Sequence, residues 1–422
     1  MNGTPQLVAQ GLDFPTSLAF DAEGAPWVAE SGLPFAGAAP GGRIRRIGPD
    51  GRPETLLGDL RWPVNGLCFH DGGFFIAEGG NPGRISRWRG SARETVLDGM
   101  PGLGNYHTNM AVVGPNGWLY FSQGALTNSG VIGLDAYELG WLKRLPHNHD
   151  VPGYDVVLAG LNLESDNPLG TNGDRRVRTG AFSPFGVETR PGQRIEGRVP
   201  CTASVMRCRP DGSGLELVAW GLRNAYGLLF LPDGRLLATD QGADDRGSRP
   251  VGQAPDLLFE VRPGAWYGWP DYVGGVPVTD PRFRPERGPQ PRPLLANPGE
   301  LPAPEPPLLE LGVNAAATKM DLIPEGAPRW PGQLLVALFG DERPMTGPAG
   351  PRIGRSLARI DPSDWSIHGT AAGPFRRPID VRVHPLEGAV YVLDFGEFEM
   401  GPGGVEARAG TGALWKVPLE AL

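Results

Sequence analysis

The sequence predicts an all-β fold: a single six-bladed β-propeller that spans residues 1–422, with four antiparallel strands in each blade. Two observations carry this prediction. A unit of short strands recurs six times along the chain, and its first copies begin at Phe14, Trp62 and Tyr106. These intervals match the roughly 40–50 residues of a propeller blade. In addition, the 64 Gly and 46 Pro residues recur between apolar runs, where the turns of an antiparallel sheet need them.

The first half of each unit predicts the inner hairpin of a blade. It has an aromatic or polar first residue, an alternating apolar run, a turn with Gly, and a second β run that ends on an acidic or amide residue near Gly. Copies one to three are FPTSLAFDAEGAPWVAESG, WPVNGLCFHDGGFFIAEGG and YHTNMAVVGPNGWLYFSQG. Copy four, RNAYGLLFLPDGRLLATDQG, begins at Arg223, and copy six, RRPIDVRVHPLEGAVYVLDFG, begins at Arg376. Copy five, AATKMDLIPEG followed by WPGQLLVALFGDE, is the least regular.

The second half of each unit predicts the outer strands. It is a short strand that usually contains Arg and often ends in a turn, as in GGRIRRIGPDG, SVMRCRPDG and GALWKVP. Six such sheets can stack around an axis and leave only short edges exposed. We expect a strand near Leu7–Gln10 to complete the last blade and close the ring.

Two long insertions interrupt the units, at about residues 125–202 and 264–315. Both are rich in Gly, Pro, Asn and Asp, and we place them after the inner hairpins of blades 3 and 4. Loops of this length in a compact domain are usually functional or disordered. We expect both to lie on one face and to wall a central pocket; the alternative is that they only cover blade edges.

Charge and hydropathy argue against some classes of function. The formal net charge of −8 makes general nucleic-acid binding an unfavourable interpretation. No run of 18 apolar residues occurs, so we predict no membrane span. The first residues, MNGTPQLVAQ, lack the charged and apolar regions of a signal peptide. Of the three cysteines, Cys201 and Cys208 could pair only across a turn, and we expect free thiols.

Polar and cationic residues stand at the start of the predicted inner strand of several units. Inner strands line the channel of a propeller, so these positions should meet at one mouth of it. They are Thr16, Asn65, His107, Thr108, Asn109, Arg223, Asn224, Thr318, Lys319, Arg376 and Arg377. A cluster of cations favours a ligand with several carboxylates or phosphates, although each cation alone could equally lie on the surface or bridge blades. His107 is a candidate general base, with a structural role as the alternative.

The segment DQGADDRGSRP, which follows the inner hairpin of copy four, is a candidate cation site. Its Gln, Asp and backbone carbonyl oxygens are hard ligands of the kind that Ca²⁺ prefers. The alternative is a turn rich in Asp that holds no metal.

The segment GLRNAYGLLFLPDGRLLATDQGADD, together with copies three and six, resembles the soluble glucose/sorbosone dehydrogenases. Its counterpart in that family reads Arg-Asn-Pro-x-Gly-Leu…Glu-Gln-Gly, copy three resembles the segment with the catalytic His, and copy six resembles the last blade. The resemblance covers essentially the whole chain and is closest to the sorbosone-dehydrogenase-like branch. Members of the family are six-bladed propellers that use pyrroloquinoline quinone (PQQ).

This resemblance implies a PQQ- and Ca²⁺-dependent oxidoreductase that oxidises a sugar or a related alcohol or aldehyde and passes electrons to an external acceptor. It also implies a periplasmic or secreted location. His107 would take the hydroxyl proton while hydride passes to C5 of PQQ, and Arg223 would stabilise the C5 oxygen. The implied cofactor-binding residues are Asn224, Gln241, Lys319, Arg376 and Arg377. The implied Ca²⁺ ligands are Gly242, Ala243 and Asp245.

The chain departs from the family at three places, and two other functions stay open. Tyr106 stands where the family often has Asp, and Ala225 stands where it has Pro. Asn109-Met110 replaces a common Gly-Gly. One alternative function is a metal-dependent propeller hydrolase, such as a lactonase, and the other is a binding propeller without catalysis. Possible metal ligands for the hydrolase are Glu30, Asn109 and Asp240.

Overall fold

Six antiparallel sheets form the blades of a β-propeller, which confirms the predicted fold class. The computed structural model describes residues 3–170, 175–343, 345–348, 350–370, 373–401 and 404–422. In blades 1 to 5 the strands follow one another outwards from the axis in chain order. The first strand of each blade contacts the first strand of the next, and that of blade 6 contacts that of blade 1, so six inner strands surround the axis.

The strand bounds follow the six predicted units. Blade 1 contains Pro15–Phe20, Pro26–Glu30, Gly42–Ile47 and Pro53–Leu60, and blade 2 contains Val64–His70, Gly73–Glu78, Gly83–Arg89 and Ala92–Met100. Blade 3 contains Thr108–Val113, Leu119–Gln123, Ser204–Cys208 and Glu216–Trp220, and blade 4 contains Ala225–Phe230, Leu236–Asp240, Pro255–Val261 and Leu309–Val313. Blade 5 contains Ala317–Leu322, Leu334–Leu338, Ser356–Asp361 and Ser366–Gly369, and blade 6 contains Pro378–Val383, Val390–Asp394, Gly412–Val417 and Gln6–Leu12.

The N-terminal strand closes the ring. Gln6–Leu12 pairs antiparallel with Gly412–Val417 and forms the outermost strand of blade 6. The sequence predicted this strand near Leu7–Gln10, which lies within the observed bounds. The two ends of the chain therefore share one sheet, and separating them exposes the edge of blade 6.

Glycine allows the inner strands to approach closely at two equivalent positions. A Cβ atom on Gly66 of blade 2 would lie 2.5 Å from the backbone oxygen of Asn109 in blade 3. A Cβ atom on Gly227 of blade 4 would likewise lie 2.5 Å from the backbone oxygen of Thr318 in blade 5. Since real Cβ atoms do not approach so closely, the axial packing requires glycine at both positions.

The core lies between the faces of neighbouring blades. Between blades 1 and 2, Trp27, Phe74 and Trp88 pack together with ring centroids 4.9–5.9 Å apart.

The cysteines Cys68, Cys201 and Cys208 are all free thiols. Among the described residues, no helix has the length and hydropathy needed to cross a bilayer.

The first insertion, residues 124–203, lies between the second and third strands of blade 3. It contains the helices Leu134–Glu138 and Trp141–Arg144. Two short hairpins follow, which pair Val156–Val157 with Arg194–Ile195 and Asn162–Asp166 with Arg176–Gly180. Residues of both helices line a cavity at one mouth of the channel.

The second insertion occupies residues 262–308 and follows the third strand of blade 4, whereas the prediction placed it directly after the inner hairpin. Its end was predicted too late, because Leu309–Val313, within the predicted range 264–315, is the outer strand of that blade. Ala265–Trp266 runs parallel to the fourth strand of blade 3, and Trp266 stacks on Trp220 at 6.3 Å. This part of the insertion therefore covers a blade edge, which was the alternative interpretation.

Smaller elements complete the described chain. Tyr272–Val273 pairs with Val276–Pro277, and Phe398–Gly401 pairs with Gly404–Ala407 between the second and third strands of blade 6. The 3-10 turns are Phe35–Gly37, Pro281–Phe283, Pro298–Glu300 and Leu419–Ala421.

Candidate functional site

A cavity with two adjoining lobes lies at one mouth of the propeller channel. The larger lobe measures about 770 Å³ and the smaller about 260 Å³, and both include Tyr106, Tyr226 and Gln241 in their walls. Eight aromatic rings line the larger lobe: Phe35, Trp62, Tyr106, Tyr137, Trp141, Tyr226, Phe395 and Phe398. Its volume is within the range of small-molecule and cofactor sites.

His107 lies on the wall of the larger lobe, immediately before the inner strand of blade 3. Its Nδ1 is buried and has no hydrogen-bond partner in the described structure, so a proton exchanged with a ligand would go to Nε2. Burial in this poorly solvated position lowers the pKa of His107 to about 4. The imidazole is therefore neutral, and able to accept a proton, throughout the range from mildly acidic to alkaline pH.

Four amide side chains form a hydrogen-bonded belt beside His107. Asn65 donates to Asn109 Oδ1 at 3.3 Å, and Asn109 donates to Asn224 Oδ1 at 2.7 Å. Asn224 donates to Gln241 Oε1 at 2.8 Å, and Gln241 donates in turn to the backbone oxygen of Ala317 at 3.1 Å. This amide belt (Asn65, Asn109, Asn224 and Gln241) joins blades 2 to 5, and all four members line the larger lobe. It fixes the side-chain orientations of Asn109, Asn224 and Gln241, because the amide oxygen of each accepts a hydrogen bond from the preceding member of the belt.

Arg223 is buried beside the smaller lobe and is almost fully engaged. Its Nε and Nη2 donate to the backbone oxygen and Oδ1 of Asn128, at 2.9 and 2.7 Å. Nη2 also pairs with Asp244 at 2.9 Å, and Nη1 donates to the backbone oxygen of Gln241 at 3.1 Å. The guanidinium lies 4.5 Å over the ring of Tyr106. Since a guanidinium has five N–H groups, one on Nη1 is left for a ligand.

A second buried arginine makes the network around Arg223 nearly neutral. Arg246 pairs with Asp244 at 2.9 Å and with Asp135 of the first insertion, and it donates to the Tyr106 hydroxyl at 3.1 Å. Sequence reasoning missed Asp135 and Arg246. Tyr106 is the hydrogen-bonded link between this network and the larger lobe.

Lys319 lies on the axis but not in the cavity wall. Its side chain is fully buried, and Nζ donates to the backbone oxygens of Thr16 and Asn65, which belong to blades 1 and 2. The ring of Tyr226, which does line the cavity, lies 4.6 Å from Nζ. Burial lowers the pKa of Lys319 to about 7. Lys319 therefore joins blades 1, 2 and 5 and does not line either lobe of the cavity.

Arg376 and Arg377 also lie away from the cavity. Arg376 is on the surface and pairs with Glu397. Arg377 is buried, pairs with Glu342 and Glu399, and donates to three backbone carbonyls after the second strand of blade 5. The expected convergence of Arg223, Lys319, Arg376 and Arg377 on one spot is therefore not found. The reason is that carboxylates and carbonyls of the chain itself satisfy these cations.

The predicted calcium ligands face different spaces. Gly242 lines the smaller lobe, and its N–H donates to Asp256 at 2.9 Å. Asp245 lines a separate pocket of about 20 Å³, where its buried Oδ1 has no partner among the described residues. Ala243 lines that same pocket. Within the described ranges, no group of three or more His, Cys, Asp or Glu side chains is placed to hold a metal ion. Gly242 and Ala243 share the wall of another small pocket beside Arg223, which Asp245 does not line, so the three predicted ligands do not meet at one site.

The candidate hydrolase ligands do not come together either. Glu30 pairs with Arg43 at 2.8 Å and with Arg45 at 3.1 Å in blade 1. Asp240 accepts two backbone N–H groups that precede the inner strand of blade 4, and burial raises its pKa to about 7. Asn109 belongs to the amide belt. No observation in the described structure favours a metal-dependent hydrolase.

No protein-family model matches the chain, and no curated protein matches it in sequence. Solved structures do match it over nearly its whole length. One is an oxidoreductase of Thermus thermophilus described as a glucose dehydrogenase, with 19% identity, 98% and 99% of the two chains covered and a TM-score of 0.55. Another is the PQQ-bound form of an aldose sugar dehydrogenase from Streptomyces coelicolor, with 16% identity, 98% and 96% covered and a TM-score of 0.57.

The apo form of the soluble aldose sugar dehydrogenase from Escherichia coli is also similar, with 15% identity, 98% and 99% of the chains covered and a TM-score of 0.56. At these identities the likeness shows the propeller fold alone, because one fold supports many chemistries. Function has to be argued from the cavity.

Proposed function

We propose that the protein is a dehydrogenase that oxidises a sugar or a related alcohol or aldehyde, with PQQ as the hydride acceptor and His107 as the proton acceptor. The observation that carries the proposal is His107 itself, a neutral imidazole whose Nδ1 has no partner among the described residues, on the wall of a cavity large enough for a cofactor and a substrate. The resemblance of the sequence to soluble sugar dehydrogenases supports the proposal. So does the occurrence of a PQQ-bound enzyme among the proteins that share the fold.

The volume of the cavity and the chemistry of its walls support PQQ as the cofactor. A flat, fused-ring ligand packs well between aromatic side chains, and eight of these line the larger lobe. The amide belt presents fixed donors and acceptors along one side of that lobe. Arg223 has one free N–H group at the neighbouring smaller lobe, where it can meet a quinone oxygen.

Alcohol oxidation removes a proton from the hydroxyl group and a hydride from the carbon that bears it. His107 Nε2 accepts the proton, since the imidazole is neutral above about pH 4. The amide belt orients the hydroxyl groups of the substrate, and its internal hydrogen bonds keep the amides from rotating. When bound, PQQ supplies the two-electron acceptor, and an external acceptor later removes the electrons.

Binding and turnover test the proposal separately. PQQ is titrated into the protein by absorbance, with and without Ca²⁺, and dye reduction is then followed with a panel of aldoses that includes sorbosone. We expect saturable PQQ binding and dye reduction by at least one substrate. The substrate panel tests the predicted sorbosone-type specificity, and the titrations with and without Ca²⁺ test the predicted Ca²⁺ requirement. A protein that neither binds PQQ nor reduces the dye would refute the proposal.

Replacing His107 identifies the proton acceptor. His107→Ala should abolish dye reduction and leave PQQ affinity within about threefold of the wild type, because the imidazole contributes to the reaction more than to binding. His147→Ala is the matched control, since His147 is an exposed residue of the first insertion and lies outside the cavity wall. Unchanged turnover in His107→Ala would show that another group takes the proton.

A further inference from the structure

Two cations on the short helix Trp141–Arg144 face the larger lobe, and its one acidic lining residue, Glu138, makes no ion pair with either of them in the described part of the chain. Lys143 and Arg144 both line the lobe near its opening. In the described part of the chain, neither makes an ion pair or a hydrogen bond; each instead lies over an aromatic ring of the same lobe. Lys143 Nζ is 4.1 Å from the centre of the Tyr137 ring, and the Arg144 guanidinium is 5.3 Å from that of Trp62.

The helix that carries these cations is anchored to the propeller. Trp141 is buried, and its indole N–H donates to Asn105 Oδ1 at 2.8 Å. Asn148, just beyond the helix, donates to the backbone oxygens of Gly102 and Leu103 at 2.7 and 3.0 Å. The helix backbone is therefore held against the segment before blade 3, while the two long side chains remain exposed.

The other cations near the cavity are already neutralised. Arg223 and Arg246 share Asp244, and Arg246 also pairs with Asp135. An anionic ligand that bound Arg223 or Arg246 would have to break a buried ion pair, and separating such a pair is strongly unfavourable. An anion can bind Lys143 and Arg144 without breaking an ion pair.

We propose that Lys143 and Arg144 bind the carboxylates of a planar, aromatic anion in the larger lobe. On the proposed function, on which this inference rests, that anion is PQQ. Its carboxylates would then lie at the rim formed by the first insertion, and not at Lys319, Arg376 and Arg377. The cations lie over the rings of Tyr137 and Trp62, which line the same lobe. A planar ligand with carboxylates could therefore pair with the cations and pack against the aromatic rings at the same time.

The test compares PQQ with its trimethyl ester, which keeps the ring system and lacks the negative charges. Binding of both is measured by absorbance or calorimetric titration at low and high salt. The variants are Lys143→Gln, Arg144→Gln and the double variant, with Lys416→Gln and Arg93→Gln as controls. Lys416 and Arg93 are cations of blades 6 and 2 that lie outside the cavity wall.

We expect each single substitution to weaken PQQ binding by about three- to tenfold and the double substitution by more than about tenfold, as for partly exposed charge pairs. The variants should bind the trimethyl ester as the wild type does, and the salt dependence of PQQ binding should fall in the double variant. The controls should match the wild type. Melting temperatures should not change, because both side chains are exposed.

Three results would overturn the inference. Unchanged PQQ affinity in the double variant would show that Lys143 and Arg144 do not bind PQQ, and it would leave the proposed function intact. A loss of affinity in Arg376→Gln without a loss in the rim variants would place the carboxylates where the family resemblance puts them. A wild-type protein that binds no PQQ would overturn this inference and the proposed function together.

Discussion

Replacing Lys319 by methionine should remove a large part of the pH dependence of stability in the alkaline range. The unfolded chain holds the Lys319 proton up to its ordinary pKa of 10.5, whereas the folded protein holds it only up to about 7. Between these values the unfolded state binds the extra proton, so the wild type gains stability as pH rises through this range and loses it as pH falls.

The magnitude follows from the two pKa values. Between pH 7.5 and 9.5, the difference in proton binding at Lys319 makes the folded wild type more stable by about 2 kcal/mol. Lys319→Met has no proton to bind and lacks this gain. At pH 9.5, where Lys319 is neutral in the folded protein, the variant should have the lower unfolding free energy, because the backbone oxygens of Thr16 and Asn65 lose their donor in a buried place.

The assay is urea unfolding followed by tryptophan fluorescence at both pH values, for the wild type and for Lys319→Met. The difference in unfolding free energy between the two proteins should widen by about 2 kcal/mol at the higher pH. Lys143→Met serves as the control, because Lys143 is exposed, and it should follow the wild type. A difference that stays constant to within about 0.5 kcal/mol would refute the placement of Lys319 as a buried, desolvated link between blades.

Two further predictions concern the site and the axis. Because burial lowers the pKa of His107 to about 4, kcat/KM of the PQQ-loaded protein should stay level from pH 5 to 8 and fall only as His107 is protonated near pH 4; an acid limb near the ordinary histidine value of about 6.5 would contradict this. Gly66→Ala should destabilise the protein by about 1–3 kcal/mol, because its Cβ would meet the backbone of blade 3. Gly58→Ala, where nothing lies within 4 Å of the added Cβ, should change stability little, and equal melting temperatures for the two variants would contradict the axial packing argument.

The sequence was sufficient to predict the blades because the repeat is a local signal. Alternating apolar runs and Gly turns are read within about ten residues, and equivalence between units then places the start of each inner strand at one end of the channel. That reasoning located His107, Asn65, Asn109 and Asn224 near one another. The structure brings all four to the larger lobe.

The ion-pair partners of the cations could not be predicted in the same way. A repeat position fixes where a backbone lies, but not which carboxylate a long side chain meets across the fold. Asp135, which neutralises Arg246, comes from the irregular first insertion, and Glu399, which pairs with Arg377, comes from a hairpin within blade 6. Neither position belongs to the repeat pattern. Lys143 and Arg144, which line the larger lobe and make no ion pair in the described part of the chain, also belong to the insertion, where no repeat guided the prediction.

The most direct test of the proposed function follows the absorbance of protein-bound PQQ after substrate is added without a dye. The wild type should bind PQQ and then show loss of the oxidised quinone absorbance when an oxidisable sugar is mixed in, whereas His107→Ala should bind PQQ and keep that absorbance. Equal bleaching in both proteins would contradict the role of His107. A wild type that binds PQQ and never bleaches with any sugar, alcohol or aldehyde of the panel would contradict the dehydrogenase itself.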